Sequence, residues 1–280
     1  MTNISIRFSY NLCKEIWHDI WLSKLPKYAI IYESAHMKTN VNIGKEVIIM
    51  NEQSSNSQGI HALFEQYGVN LKVDKDQSIF LEGERSEDVF LVKTGTIRIS
   101  KDTESGKILT LRITGNNTII GETSIFCEVL YHSVSANAIE PTHLLVLSRS
   151  TLEKYLSDDS TLMKEWLQIL QVHNLKNETR LRDLLLHGKK GALLSTLIRL
   201  TNTYGVKQED GGILIDRALT NQELANFCAT SREVVNRILN DLKKKRVLSL
   251  DNGMITIHNL PFLRTEVECD NCPLHICRID

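Results

Sequence analysis

The chain has 280 residues, 42% of them apolar, and a formal net charge of −1. That is enough for two separate cores, and it excludes both a single small module and a uniformly basic nucleic-acid coat. The even total hides an asymmetry: between Gly188 and Leu250 eleven Lys/Arg stand against six Asp/Glu, a net of +5 that leaves −6 for the remainder and marks this segment for a polyanionic partner.

No stretch approaches the roughly 20 uninterrupted apolar residues of a membrane helix, and the first residues lack a basic-then-apolar signal layout, so a cytoplasmic protein is expected. In such a reducing compartment, cysteines crowded together more often hold metal or do redox work than form disulfides.

Residues 1–58 read as an N-terminal extension without an assigned role. They hold an amphipathic helix candidate (Leu12, Ile16, Ile20 and Leu25, with Trp17 and Trp21), then a polar run, and Met37 and Met50 are candidate alternative starts. From about Val69 to Ser148 the texture changes to short β-rich runs such as SIFL, VFLV, TIRIS, ILTLRI and HLLVL, punctuated by Gly83, Gly95, Gly106, Gly115 and Gly121. Even spacing of this kind predicts a small antiparallel barrel or roll, here residues 59–160 with a short helix from Ser150 to Leu156.

A long helix follows, over 161–188. Its apolar positions, Leu162, Trp166, Ile169, Leu181 and Leu184, are interrupted by His173, Lys176 and Arg180. That length and pattern suit an intersubunit helix pair and so a homodimer, the alternative being a helix packed on its own roll. His187-Gly188-Lys189-Lys190-Gly191 reads as a hinge, and the helix after it ends at Gly205.

Residues 189–260 carry the most specific pattern. Thr220 and Glu223 form a capping box, and a second helix starts near Ser231 after Cys228-Ala229-Thr230. Val235, Ile238, Leu239 and Leu242 share one face of it, leaving Arg232, Glu233, Asn236 and Arg237 on the other. An Arg can donate two hydrogen bonds to guanine and a Glu can accept from cytosine, so Arg232, Glu233 and Arg237 are the expected base readers of a DNA partner. Duller readings are a capping box between Thr230 and Glu233, and arginines on a solvated face. The basic run Lys243 to Arg246 and the hairpin at Asp251-Asn252-Gly253 form a wing near phosphates.

From Gly59 to Asp280 this order resembles the CRP/FNR superfamily: an α+β chain with an N-terminal antiparallel β-roll, a long dimerisation helix and a C-terminal winged helix-turn-helix, carrying SREVVNR at the reading helix. The resemblance implies TGTGA-type half-sites read by Ser231, Arg232, Glu233 and Arg237 within a pseudo-palindrome, together with contacts to RNA polymerase. Cyclic-nucleotide binders of the superfamily carry Gly-Glu for the ribose and Arg-Ser or Arg-Thr for the phosphate. Here Gly121-Glu122 remains, but His132-Ser133 stands at the phosphate position, and a neutral imidazole is a poor substitute for a bidentate Arg.

The tail, 261–280, brings Cys269, Cys272 and Cys277 within reach of one inorganic centre, an iron-sulfur cluster or a zinc ion. Three ligands are one short, and for zinc the nearest histidines are His275 and His258. Together with RLRDLLLHGKK, the tail is similar to Fnr regulators of the Gram-positive type. That resemblance implies an oxygen-sensing [4Fe-4S] cluster on Cys269, Cys272, Cys277 and Asp183, and control of anaerobic genes. Rival readings are a zinc or thiol-switch regulator with the same DNA head, and a cyclic-nucleotide-binding subunit of an enzyme. With no glycine-rich nucleotide loop, HExxH or nucleophile elbow in the sequence, catalysis is not expected.

Overall fold

The computed structural model describes residues 57–280 apart from Ser105 and Val129, so the helix expected near Leu12–Leu25 and the rest of 1–56 lie outside the described residues. The first element is a helix the sequence reading did not anticipate, α1 (Gln58–Tyr67). Eight strands follow: β1 (Val69–Val73), β2 (Ser78–Phe80), β3 (Asp88–Thr94), β4 (Ile97–Asp102), β5 (Ile108–Thr114), β6 (Ile119–Ile120), β7 (Ser135–Ala138) and β8 (Thr142–Ser148). They form two antiparallel sheets of order β1-β8-β3-β6 and β2-β7-β4-β5, the predicted roll.

β3 shows why the apolar run is continuous there. Val89 and Leu91 face a core shared with α1 and the helices after the roll, whereas Phe90 and Val92 face the opposite sheet. A strand covered on both faces needs apolar residues at every position rather than at alternate ones.

α2 (Arg149–Asp158) is capped by Ser148, whose Oγ accepts from Thr151 N, and α3 (Ser160–Tyr204) by Asp159, whose Oδ1 accepts from Thr161 N at 2.7 Å. α3 is two arms joined at Gly188, where φ 59 and ψ −159 fall in a region essentially reserved for glycine. The hinge expected over 187–191 is therefore one residue. Gly191 serves the same bend by having no side chain, since a Cβ there would lie 2.0 Å from His187 Cβ.

The first arm corrects one expectation. Trp166 is buried in the chain's own roll core with Leu162 and Ile169 packed beside it, and Leu184 packs on the core of the following domain. Leu167, Leu181 and Leu185 are exposed instead. A helix has more than one face, and the stripe read as intersubunit is mostly the one that buries Trp166; a buried aromatic of this size stabilises by roughly 3 kcal/mol.

The second arm is buried from Gly191 to Thr201 at the centre of the C-terminal head. Around it lie β9 (Gly205–Lys207), β10 (Ile213–Ile215), α4 (Asn221–Phe227), α5 (Arg232–Lys244), β11 (Leu248–Asp251), β12 (Met254–Ile257) and α6 (Leu260–Glu266). The wing is a four-stranded sheet, β11-β12-β10-β9, whose first two strands in sequence escaped the sequence reading. Asn252 and Gly253 turn its hairpin with φ 48 and 81, as an Asn-Gly pair predicts. The boundary drawn between 260 and 261 falls inside α6, and Val267, Cys277 and Ile279 belong to the head's core. Among the described residues no helix is long and apolar enough to cross a membrane.

Candidate nucleic-acid interface and metal centre

α4 and α5 carry the candidate reading surface. The capping box is complete: Thr220 Oγ1 accepts from Glu223 N at 3.1 Å, and Glu223 Oε2 accepts from Thr220 N at 2.7 Å. Ala229, at φ 46, makes the tight turn. Ser231 caps α5 by accepting from Val234 N, so the box considered for Thr230 and Glu233 does not form, and Thr230 Oγ1 is buried without a partner. Val235, Leu239 and Leu242 are buried, while Arg232, Glu233, Asn236 and Arg237 are exposed on the opposite face. Among the described residues neither the Arg232 nor the Arg237 guanidinium has a hydrogen-bond or ion-pair partner. Two unpaired planar forks beside a carboxylate suit major-groove edges of G·C pairs. Lys243 and Lys244 in the last turn favour the negative end of the helix dipole, and the basic run lies next to the wing.

In the roll, Gly121 keeps a left-handed turn at φ 82 that presents Glu122 inward. Glu122 is already engaged, accepting from Arg112 Nη2 at 2.7 Å and lying 3.2 Å from His173 Nδ1. Burial raises its pKa, but Arg112 and His173 outweigh burial and bring it down to about 2. His132 is buried and stacked on Phe80, ring centroids 3.8 Å apart, and burial lowers its pKa, so it stands as a neutral packing residue rather than a phosphate ligand.

The tail docks along α3. Arg182 pairs with Asp270, Asn202 Nδ2 donates to Cys277 O at 2.7 Å, and Ile279 N donates to Thr203 Oγ1 at 3.0 Å. Cys272 and Cys269 neighbour Cys277; burial pushes the Cys277 thiol up to about 11, the adjacent thiols reinforce that, and Arg199 opposes it. The same Arg199 donates from Nη2 to Asp183 Oδ2 at 2.6 Å. Asp183 also accepts from Ser195 Oγ, and from Arg182 Nε and Nη2 at 3.0 and 2.6 Å. Burial works against its charge, yet these donors hold its carboxyl below the usual range.

Three neighbouring soft thiols, one cation away from a buried carboxylate, make a donor set chemically suited to an iron-sulfur centre. Among the described residues, no three His, Cys, Asp or Glu side chains are drawn up as a metal-holding group, and both oxygens of Asp183 already have protein donors. Of the two histidines weighed for zinc, His258 is bonded to Ser249 Oγ at 2.9 Å in the wing, and His275 is exposed in the tail. The sequence reading missed Ser195 and Arg199, whose identity as the partners of Asp183 has no local signal.

Residues 70–159 match the cyclic nucleotide-binding domain family and residues 191–266 the Crp-like helix-turn-helix domain. The chain is 47% identical over 225 residues to the anaerobic regulatory protein of Bacillus subtilis, covering 80% of this chain and 94% of that protein. It is 27% identical to the global nitrogen regulator of Synechocystis, covering 75% and 96% respectively. Among solved structures, FixK2 from Bradyrhizobium japonicum superposes with a TM-score of 0.60 at 21% identity, covering 71% of this chain and 96% of that one, a likeness of fold.

Proposed function

Because this chain belongs to the CRP/FNR family of DNA-binding transcription regulators, and is not an enzyme, we propose that it is an oxygen-responsive regulator of anaerobic genes. It binds TGTGA-type palindromes as a homodimer, with RNA polymerase as its second partner, under the control of a [4Fe-4S] cluster held by Cys269, Cys272, Cys277 and Asp183. The observation that carries this reading is the gathering of Cys269 and Cys272 about Cys277, whose thiol feels the charge of Arg199, the residue that also holds Asp183. The printed name of the Bacillus subtilis relative, an anaerobic regulatory protein, points the same way.

Such a cluster, when bound, supplies an oxygen-labile iron centre. The chain's own residues do the rest. The thiols lose their protons to become ligands, and the nearby Arg199 charge favours the thiolate of Cys277. Asp183 stays ionised, and serving as a ligand requires it to exchange a bond from Ser195, Arg182 or Arg199. Since Cys277 and Ile279 are part of the head's core and Asp183 sits on the first arm of α3, joining them biases the bend at Gly188 and so the orientation of α5.

The dimer is supported by a four-three spacing on the first arm, Leu167, Gln171, Asn174, Glu178, Leu181 and Leu185. Its leucines are 56, 57 and 70% exposed in the single chain, apolar surface that a second copy of α3 would cover. A two-fold axis along that pair sets the two α5 helices on half-sites of a palindrome.

The test is strictly anaerobic purification followed by iron, sulfide and zinc analysis, with operator affinity measured before and after air and after metal removal. A brown protein that bleaches in air and loses operator affinity is expected. Stoichiometric zinc without sulfide would favour the zinc regulator instead, and unchanged operator affinity in the metal-stripped dimer would refute the reading.

A further inference from the structure

The segment from Cys277 to Asp280 is bonded to both arms of α3. On the second arm, Asn202 Nδ2 donates to Cys277 O at 2.7 Å, Asn202 O accepts from Arg278 Nη1 at 3.2 Å, and Thr203 Oγ1 accepts from Ile279 N at 3.0 Å. On the first arm, Lys176 donates to a main-chain carboxylate oxygen of Asp280 at 2.5 Å. Arg180 donates through Nη2 to Arg278 O at 3.2 Å and to Ile279 O at 2.8 Å. Arg180 and Thr203 thus hold the same residue, Ile279. In an unbroken helix they would stand about 35 Å from one another. The turn at Gly188 is what lets one short segment reach both.

Arg180 has a third attachment. Its Nη1 donates to Leu111 O on β5, and β5 is the roll strand that packs against α4 of the head. One half-buried guanidinium therefore joins the roll, the long helix and the tail. Its donors point in fixed directions, which suits backbone carbonyls on two separate segments and which a single ammonium could not reproduce.

We infer that residues 277–280 are a clasp that closes the bend of α3 against the roll, with Arg180 as its positioning residue. The regulatory consequence of the clasp rests on the oxygen-sensing reading; its geometry does not. Cys277 is both the first residue of the clasp and one of the three tail thiols. A change in how that thiol is held passes through Asn202 to the second arm, and through the next two residues and Arg180 to β5. Coupling between two sites needs an element with two arrangements that both sites bias, and the clasp, closed or open, is such an element between the tail thiols and α5.

Two measurements test the clasp. In metal-free full-length protein, alkylation of each cysteine by iodoacetamide is followed by peptide mass spectrometry. Cys277 and Cys228 are both buried in the head's core, and Cys127 is exposed. Arg180→Met should speed alkylation of Cys277 about tenfold or more, and Thr203→Val several-fold, while Cys228 stays protected. Thr203→Val alters a partly exposed side chain with little change of shape, and keeps the test decisive if Arg180→Met fails to fold. Cys277 as protected as in wild type, or Cys228 opened to the same degree, would overturn the clasp. In the second measurement, anaerobically purified Arg180→Met with the iron and sulfide content of wild type is assayed for operator affinity before and after air. The ratio of the two affinities should fall several-fold towards one, and a wild-type ratio would overturn the positioning role. If wild type itself shows no such ratio, the oxygen-sensing reading fails, and the thiol measurement alone decides the clasp.

Discussion

Replacing Asp183 with alanine should destabilise the metal-free protein before any question of ligation arises. Asp183 is 3% exposed and accepts four hydrogen bonds, two from Arg182 and one each from Ser195 and Arg199. Arg182 is partly exposed and keeps Asp270, so it loses little. Arg199 is 3% exposed and already has Nη1 buried without a partner, so deletion of the carboxylate strands a buried charge. Breaking such a pair costs about 3–5 kcal/mol. Asparagine keeps an acceptor for Ser195 and one arginine, and should lose about half as much.

The assay is urea unfolding of metal-free protein followed by circular dichroism, with the midpoint difference scaled by the slope. Because the folded-state pKa of Asp183 is depressed, its contribution is fully present above the unfolded carboxylate value of about 3.9 and is lost as pH falls through the folded value. The gap between wild type and Asp183→Ala should therefore close in acid. A variant within about 1 kcal/mol of wild type at pH 7 would refute the argument. Loss of operator binding by Asp183→Ala thus mixes stability with ligation, and Asp183→Asn is the cleaner probe.

Cys272→Ala, at a half-buried site with no charge to strand, should lower anaerobic operator affinity to the level of the aerated protein while leaving the unfolding midpoint nearly unchanged; tight anaerobic binding in a gel shift contradicts the scheme. Arg232→Ala or Arg237→Ala should each cost about 1–3 kcal/mol in operator binding and relax base preference at one position of the half-site, checked by competition with substituted operators. The double variant Leu181→Glu, Leu185→Glu places charges on the exposed four-three seam and should sediment as a monomer. Gly188→Ala should lose about 1–3 kcal/mol in thermal unfolding from backbone strain alone, since no atom lies within 4 Å of the added Cβ.

The head was legible in the sequence to the level of single caps. Thr220 with Glu223 and Asn252-Gly253 act over a few residues, and such signals survive without the rest of the molecule, whereas the cap of α5 is Ser231 and not the Thr230–Glu233 box that the sequence also allowed. The same holds for the β-runs of the roll and for the break at Gly188. α1 was missed because Ser57 makes no side-chain cap and a polar run precedes it, and β9 and β10 because three residues carry no readable period.

Other features have partners far along the chain. Whether Trp166 faced its own roll or a second subunit was decided by Val89, Leu145 and Leu152. The neutral role of His132 was decided by Phe80, and the saturation of Asp183 by Ser195 and Arg199. That the cysteine tail is part of the head was decided by the burial of Val267, Cys277 and Ile279 in its core. Local hydrogen bonding and periodicity are written in neighbouring residues, so the sequence determined most of the elements and which face of α5 is left polar and exposed. Burial and charge pairing depend on residues that only folding brings together, so tertiary structure alone decided which side chains remain free to bind.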